Sequence, residues 1–239
     1  MHVLALDTTT REGSVALVDD ARVIDERRGD LARPHAERLP TAIVDLLAAH
    51  QLRVADVDVF AVAAGPGSFT GMRIGMATIQ GLALTTKRPV VALSALDVLA
   101  HIGSLDQPAG SLIAAWIDGR RQEVFAALYR VESAPAYHPD RLAVLDGPIV
   151  GPPAAILGLW ASAADVPVTF IGDGAVLYEP TIRGRGQSND RVRPLPLLAG
   201  AMGHMAVLRA GRGEVSHPAA VQPLYVRRPD VEVARDRLK

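Results

Sequence analysis

Residues 65–75 read GPGSFTGMRIG, a glycine-rich turn of the kind that lets backbone N–H groups close around a phosphate. A phosphate loop of the G-x-x-x-x-G-K-[ST] type needs a lysine for the outer phosphates and a hydroxyl for magnesium, and no lysine lies between Gly65 and Gly81. A dinucleotide fingerprint fits a little better, because Gly65, Gly67 and Gly71 follow an apolar run and open a helical one. Their spacing is nevertheless G-x-G-x-x-x-G, and about twenty residues on, where a ribose-binding acid belongs, the chain reads VVALS. The plainer assignment is a structural turn, in which Gly65 and Gly67 supply positive φ and Ser68 or Thr70 caps the helix that follows. A second polar turn, Asp7-Thr8-Thr9, offers a carboxylate and two hydroxyls, suited to a metal-bound phosphate or to capping the end of their own strand.

The bulk composition bounds these choices. A chain of 239 residues fits one large α/β domain or two small lobes. Its net charge is -1, from 25 basic and 26 acidic residues, so no domain-wide basic field exists to hold a phosphate backbone unaided. Two Trp, four Tyr and four Phe leave few platforms for stacking bases. Cysteine is absent, which removes disulfides and thiolate chemistry and suits a reducing cytosol. MHVLALDTTT has no basic region before a long apolar run and is expected to be a strand, not a signal peptide. The uncharged run nearest a membrane-like composition, Ile74 to Thr86, is too short to span a bilayer, so a soluble, cytoplasmic chain with no membrane contact is expected.

Along the chain, HVLAL, GSVALVDD and ARVIDERR predict a three-stranded opening unit with Asp19-Asp20 as a turn. Leu39, Ile43, Leu46 and Leu47 recur at helical spacing up to about His50, with Pro40 starting or kinking that helix. VDVFAVAAG predicts a strand, residues 69–86 a helix, PVVAL a strand, and Leu96, Leu99 and Ile102 another helix. The turn-rich IGSLDQPAG marks a lobe boundary. Beyond it, SLIAAWI and EVFAALYRV flank Asp118-Gly119 as a hairpin, so both halves open as strand, Asp turn, strand. VPVTFIGDG predicts a late strand, RGRGQSNDRVR a polar loop, and LPLLAGAMGHMAVLRAG a helix stopped by glycine. This divides the chain into an N-terminal lobe (1–105), a C-terminal lobe (106–226) and an exposed tail (227–239).

The helix after the glycine turn is unusual in its side chains. From Ile74 to Thr86 it carries no charge on any face, whereas a surface helix normally has a polar side. Gly71, Gly75, Thr78 and Gly81 fall at about one-turn intervals, which would let another helix approach closely. Either its own domain encloses it or a neighbouring polypeptide covers it. On the second alternative the docking face comprises Leu39, Ile43 and Leu46 of the preceding helix with Gly71, Met72, Gly75, Met76, Thr78, Ile79 and Leu82.

Taken together, ALDTTT with GSVALV, HAERL, AAGPGSFTGMRIG, VVALSALDVLA, WIDGRRQEVFAAL and PLYVR resemble the bacterial TsaB (YeaZ) family from the first strand to the C-terminal region. That resemblance implies an α/β protein of the actin/hexokinase/Hsp70-like (ASKHA) fold, two related lobes with mixed sheets flanked by helices. It implies a role in forming N6-threonylcarbamoyladenosine at position 37 of tRNAs reading A-starting codons. The member resembled is non-catalytic: it docks a TsaD-type transferase paralogue through N-terminal-lobe helices, works beside a TsaE-type ATPase, pairs with itself when alone, and meets tRNA only within the complex. The catalytic paralogue holds a metal with an H-x-x-x-H pair, and none of the seven histidines here has another four residues away. No metal site, cofactor or catalytic residue is therefore expected, and H-E-x-x-H is missing as well.

In folds of this class an aspartate turn in each lobe faces the nucleotide phosphates and a Gly-Gly turn lies against adenosine. Asp7, Thr8 and Thr9, Asp118, and Gly172 with Gly174 take those places here, but Asp173 interrupts the last turn, so a vestigial nucleotide site is expected. The alternative is an autonomous ATP phosphotransferase of the same fold, with Asp7 or Asp118 as metal ligand or base. A bland alternative persists for each: a capped strand end at Asp7 and a ligand-free hairpin turn at Asp118-Gly119.

Overall fold

A computed structural model describes residues 1–20, 22–161 and 166–227. Strand β1 (His2–Asp7) alternates its side chains between two apolar surroundings: Val3 and Ala5 on one face, Leu4 and Leu6 on the other. It pairs antiparallel with β2 (Ser14–Asp19) and parallel with β4 (Val59–Gly65), which is buried along its whole length as a strand covered on both faces must be. The charged β3 (Arg22–Arg28) and β5 (Val90–Ser94) complete the order β3-β2-β1-β4-β5. Charge on β3 discourages further pairing at that edge.

The second half repeats this plan strand for strand. Strand β6 (Leu112–Asp118) pairs antiparallel with β7 (Val124–Val131) and parallel with β9 (Val168–Ile171), while β8 (Leu142–Gly151) and β10 (Arg191–Arg193) form the edges. Among the described residues each sheet has five strands. The order β8-β7-β6-β9-β10 matches β3-β2-β1-β4-β5 in both sequence and direction. The shared Asp-turn openings are the visible tip of that duplication.

Helices fill three layers around the two sheets. On the outer face of the first, α1 (His35–Ala49) and α2 (Phe69–Thr86) bury Leu39, Ile43, Leu46, Met76 and Ile79 against Leu4, Leu6 and Phe60. On the outer face of the second, α4 (Pro153–Leu159), α5 (Asp173–Leu177) and α6 (Glu179–Arg183) cover Trp116 and Phe170. Between the sheets lie α3 (Ala95–Gly103) and α7 (Ala199–Gly211), whose Leu96, Leu99, Met202 and Met205 meet Val3, Ala61, Ile113 and Ile117 in one continuous core.

This central layer crosses the division expected at residue 105. The sheets do fall on either side of it, but α3 packs mainly on β6 of the second sheet, whereas α7 lies on β1 and β2 of the first. Ser14 Oγ accepts hydrogen bonds from the backbone of Leu198 (3.3 Å) and Ala199 (3.0 Å), and Glu26 Oε1 accepts one from Gly200 at 2.8 Å, so two strands of the first sheet cap α7. Three local expectations also change. Helix α1 begins five residues before Pro40 and runs through it, with Pro40 and Ala36, whose carbonyl loses its intrahelical partner, both exposed. The polar stretch 183–193 ends in β10, and β8 and the short α4 escape the periodicity because Gly147-Pro148 interrupts the first and Pro152-Pro153 opens the second.

Candidate functional site

A cleft of about 700 Å³ opens between the two sheets. Thr9, Thr10 and Arg11 enter it from the β1–β2 turn, Gly67, Ser68, Phe69 and Thr70 from the start of α2, and Asp118, Arg120 and Arg121 from the β6–β7 turn. Asp173 closes the floor, and the C-terminal residues Leu224 to Arg227 form one wall. The sequence does not signal the arginines or the C-terminal wall, because only the fold gathers them.

Asp7 itself turns away from this space. Its Oδ1 accepts from the Thr9 amide (2.8 Å) and hydroxyl (2.6 Å), and its Oδ2 accepts from the Thr10 hydroxyl at 2.7 Å. The carboxylate is buried and both oxygens serve its own turn, as in the bland alternative. Thr8 is buried too, and its Oγ1 lies without a hydrogen-bond partner against α2. A Cβ on Gly71 or Gly75 would collide with the Thr8 carbonyl or hydroxyl, so these two glycines admit the strand turn, not a foreign helix.

The glycine turn has equally local reasons. Gly65 and Gly67 have φ of 116° and 156°, Ser68 accepts from the Gly71 amide at 3.1 Å as the α2 cap, and a Cβ on Gly67 would strike Thr9. Thr70 takes no part in that cap, pointing instead to the cleft wall.

In the second half, Asp173 Oδ1 accepts from the backbone of Asp118 and Gly174, each at 2.9 Å, and burial pushes its carboxyl above the ordinary range. Gly172 and Gly174 sit against the backbone of Trp116 and Ile117, a contact that a side chain would block. Asp118 accepts from the Arg120 amide at 2.9 Å and pairs with its guanidinium at 3.2 Å. The hairpin connection is longer than the Asp118-Gly119 pair suggests: positive φ falls on Arg120, Arg121 and Gln122, at 61°, 55° and 62°. Of the expected nucleotide residues, the fold thus brings Thr9 and Asp118 to the cleft and leaves Asp7, Thr8, Gly172 and Gly174 behind it.

His35, the first residue of α1, is half-buried, and its Nδ1 accepts from the Arg38 guanidinium at 2.8 Å. Burial first and then the adjacent Arg38 hold the imidazole below its usual value, so it stays neutral. Among the described residues no group of three or more His, Asp or Glu is arranged to hold a metal ion, and no helix is long and apolar enough to cross a membrane.

The expected docking residues divide sharply by exposure. Leu39, Ile43, Leu46, Gly71, Met72, Gly75, Met76 and Ile79 are buried inside their own half of the chain, leaving only Thr78 and Leu82 half-exposed. The exposed side of α2 is instead Arg73, Ala77, Gly81 and Leu84, the last 49% exposed, and on α1 the exposed residues include Val44, 56% exposed, and Ala48. The uncharged run therefore has one face in the core and one in the open. A methyl group on Gly81 would meet nothing within 4 Å, unlike one on Gly71 or Gly75.

Comparison with known proteins places this geometry. The chain is 30% identical to the tRNA threonylcarbamoyladenosine biosynthesis protein TsaB of Bacillus subtilis over 185 residues, 76% of this chain and 75% of that protein. The structure of YeaZ from Pseudomonas aeruginosa superposes with a TM-score of 0.74 at 31% identity, covering 94% of this chain and 99% of that one. The chain belongs to the TsaB family. TsaB of Escherichia coli is 36% identical over 152 residues, a match that spans 63% of this chain and 64% of the E. coli protein. A family model described as TsaD, tRNA N6-adenosine threonylcarbamoyltransferase, matches residues 29–143. For fold alone, component A of the Acidaminococcus fermentans (R)-2-hydroxyglutaryl-CoA dehydratase gives a TM-score of 0.52 at 11% identity, over 88% of this chain and 99% of that one. The duplicated sheets and the helices between them are the actin/hexokinase/Hsp70-like fold, and this TsaB-family chain carries it in both halves.

Proposed function

We propose that this chain is a non-catalytic docking subunit in the formation of N6-threonylcarbamoyladenosine at position 37 of tRNA. Membership of the TsaB family supports the pathway, since relatives bear the name of that biosynthesis. Its partner is a TsaD-type transferase paralogue, with a TsaE-type ATPase in the same assembly. Alone it pairs with a second copy, and tRNA is met only within the complex, in the cytoplasm.

Support for docking comes from the open side of α2. Ala77, Gly81 and Leu84 form an uncharged exposed stripe on α2, Val44 and Ala48 are exposed on α1, which packs on α2, and Gly81 leaves room for a close helix–helix contact. The contribution to catalysis is positional: contacts that favour a competent conformation of the transferase shift its population toward that state. Support for a non-catalytic role comes from Asp7, whose two oxygens are already engaged by Thr9 and Thr10.

The decisive experiment pairs the open face with the closed one. Leu84→Glu is expected to abolish co-elution with the transferase on size exclusion, and to reduce tRNA modification in a reconstituted system, while the chain alone keeps its melting temperature. Ile79→Glu is unsuitable for this purpose because Ile79 is 0% exposed and a carboxylate there would break the fold. Co-elution of Leu84→Glu at wild-type strength would reject docking through α2.

A further inference from the structure

After α7 the chain runs back across both halves of the molecule. Ser216 exchanges two backbone hydrogen bonds with Val90 (2.8 and 3.0 Å), and Gln80 of α2 donates to the carbonyls of Pro218 (2.9 Å) and Val221 (3.0 Å). The Leu224 amide then donates to the Ala64 carbonyl at 2.7 Å, at the end of β4. Tyr225 packs its ring 5.4 Å from that of Phe69, and its hydroxyl accepts from Arg73 Nε at 3.0 Å. To this point every anchor lies on the first sheet or its helices.

The next contact crosses the cleft. Arg227 donates from Nη1 to the Gly119 carbonyl at 2.7 Å, pairs through Nη2 with Glu123, and sets its guanidinium 5.2 Å from the centre of the Phe125 ring. Gly119 and Glu123 are the two ends of the β6–β7 connection, and between them lie Arg120, Arg121 and Gln122, all with the positive φ that L-residues disfavour. One side chain thus braces both ends of a strained turn from the opposite half of the protein.

We infer that residues 221–227 are an interlobe latch, with Arg227 as its hook and the 119–123 turn as its catch, holding the cleft at its present width. The two ends of the latch differ in kind. Its stem is fixed by backbone hydrogen bonds to the core strand β4 and by Gln80, contacts that salt does not screen. Its hook rests on an ion pair whose side chains are 25% and 32% exposed, which salt weakens. Release therefore begins at Arg227, freeing the turn and the adjoining Val226 of the cleft wall while the stem through Leu224 and Tyr225 stays in place.

Hydrogen exchange on the full chain tests this. In Arg227→Ala, the amides of residues 119–123 and 226–227 are expected to exchange faster by about tenfold, with strands β1, β4 and β6 and the Leu224 amide unchanged. Wild-type protein in 1 M salt moves the same amides in the same direction. If Arg227→Ala loses its cooperative melt, Glu123→Gln, which removes only the ion pair, is read in the same way. Wild-type exchange rates at 119–123 in a folded hook variant would overturn the latch.

Discussion

The hydroxyl of Thr8 occupies the place that a methyl group on Gly75 would need. Strand β1 and helix α2 approach so closely there that the glycine is an intrachain requirement, and Gly71 meets the Thr8 carbonyl in the same way. Gly81, on the opposite side of the same helix, faces open space.

Gly75→Ala is therefore expected to lower stability by about 1–3 kcal/mol through overpacking, and Thr8→Ala in the same chain recovers part of that loss. Gly81→Ala goes the other way, by about 0.5–1 kcal/mol, because alanine is the better helix former and nothing obstructs it. Urea melts of the three variants check the signs. Equal destabilisation at both glycines would contradict the packing.

Asp7→Ala removes the acceptor for two hydroxyls and an amide at once, all buried. A loss of about 2–4 kcal/mol is expected, from several charge-assisted hydrogen bonds and the donors left without partners. Thermal melts with and without magnesium-ATP should show the same deficit, since the carboxylate serves its turn. A deficit that appears only with nucleotide would mean that Asp7 acts on a ligand.

His101 gives a pH dependence of defined sign. It is 4% exposed, and burial, followed by Arg209 and Arg141, lowers its pKa from 6.5 to about 4. Between those values the unfolded chain binds the proton more readily, so this residue's contribution falls as pH drops through that window and stops falling below it, with at most about 3 kcal/mol at stake. Glu26, Asp97 and Asp173 carry carboxyls raised by burial and slope the opposite way, favouring the fold as pH falls. The difference between wild type and His101→Leu in melts from pH 7 to pH 4 isolates the imidazole. A difference independent of pH would count against its neutral burial.

Ser14→Ala is expected to cost about 1 kcal/mol, although Ser14 lies more than 180 residues from the helix it caps. Chemical denaturation measures the loss, and exchange at the Leu198 and Ala199 amides should rise with it. An unaltered first turn of α7 would show that Glu26 suffices.

Much of this architecture could be read from residue patterns, because strands such as VFAVAAG and helices such as α1 declare themselves by period. The orientation of α2 could not. A helix apolar all round does not say which face the core takes, and here the deciding contact, Gly75 with Thr8, joins residues 67 apart. The same holds for the cleft. Thr9 and Asp118 stand in turns that a sequence can flag, while Arg227 matters through Gly119 and Glu123, over 100 residues away, which no local pattern records. Residues 228–239 of the expected tail and the segment 162–165 lie outside the described residues, but Arg227, the first residue of that tail, is tied to the second half.

The exchange of α3 and α7 between the halves makes the molecule indivisible despite its internal repetition. A break near residue 108 would leave the first piece with a helix made for someone else's sheet and the second with the helix that the first piece lacks. Each fragment would present the other's missing interior, so the two ought to assemble when expressed together and aggregate when expressed apart. Two modules of the same plan interlock here so far that neither holds a complete interior of its own.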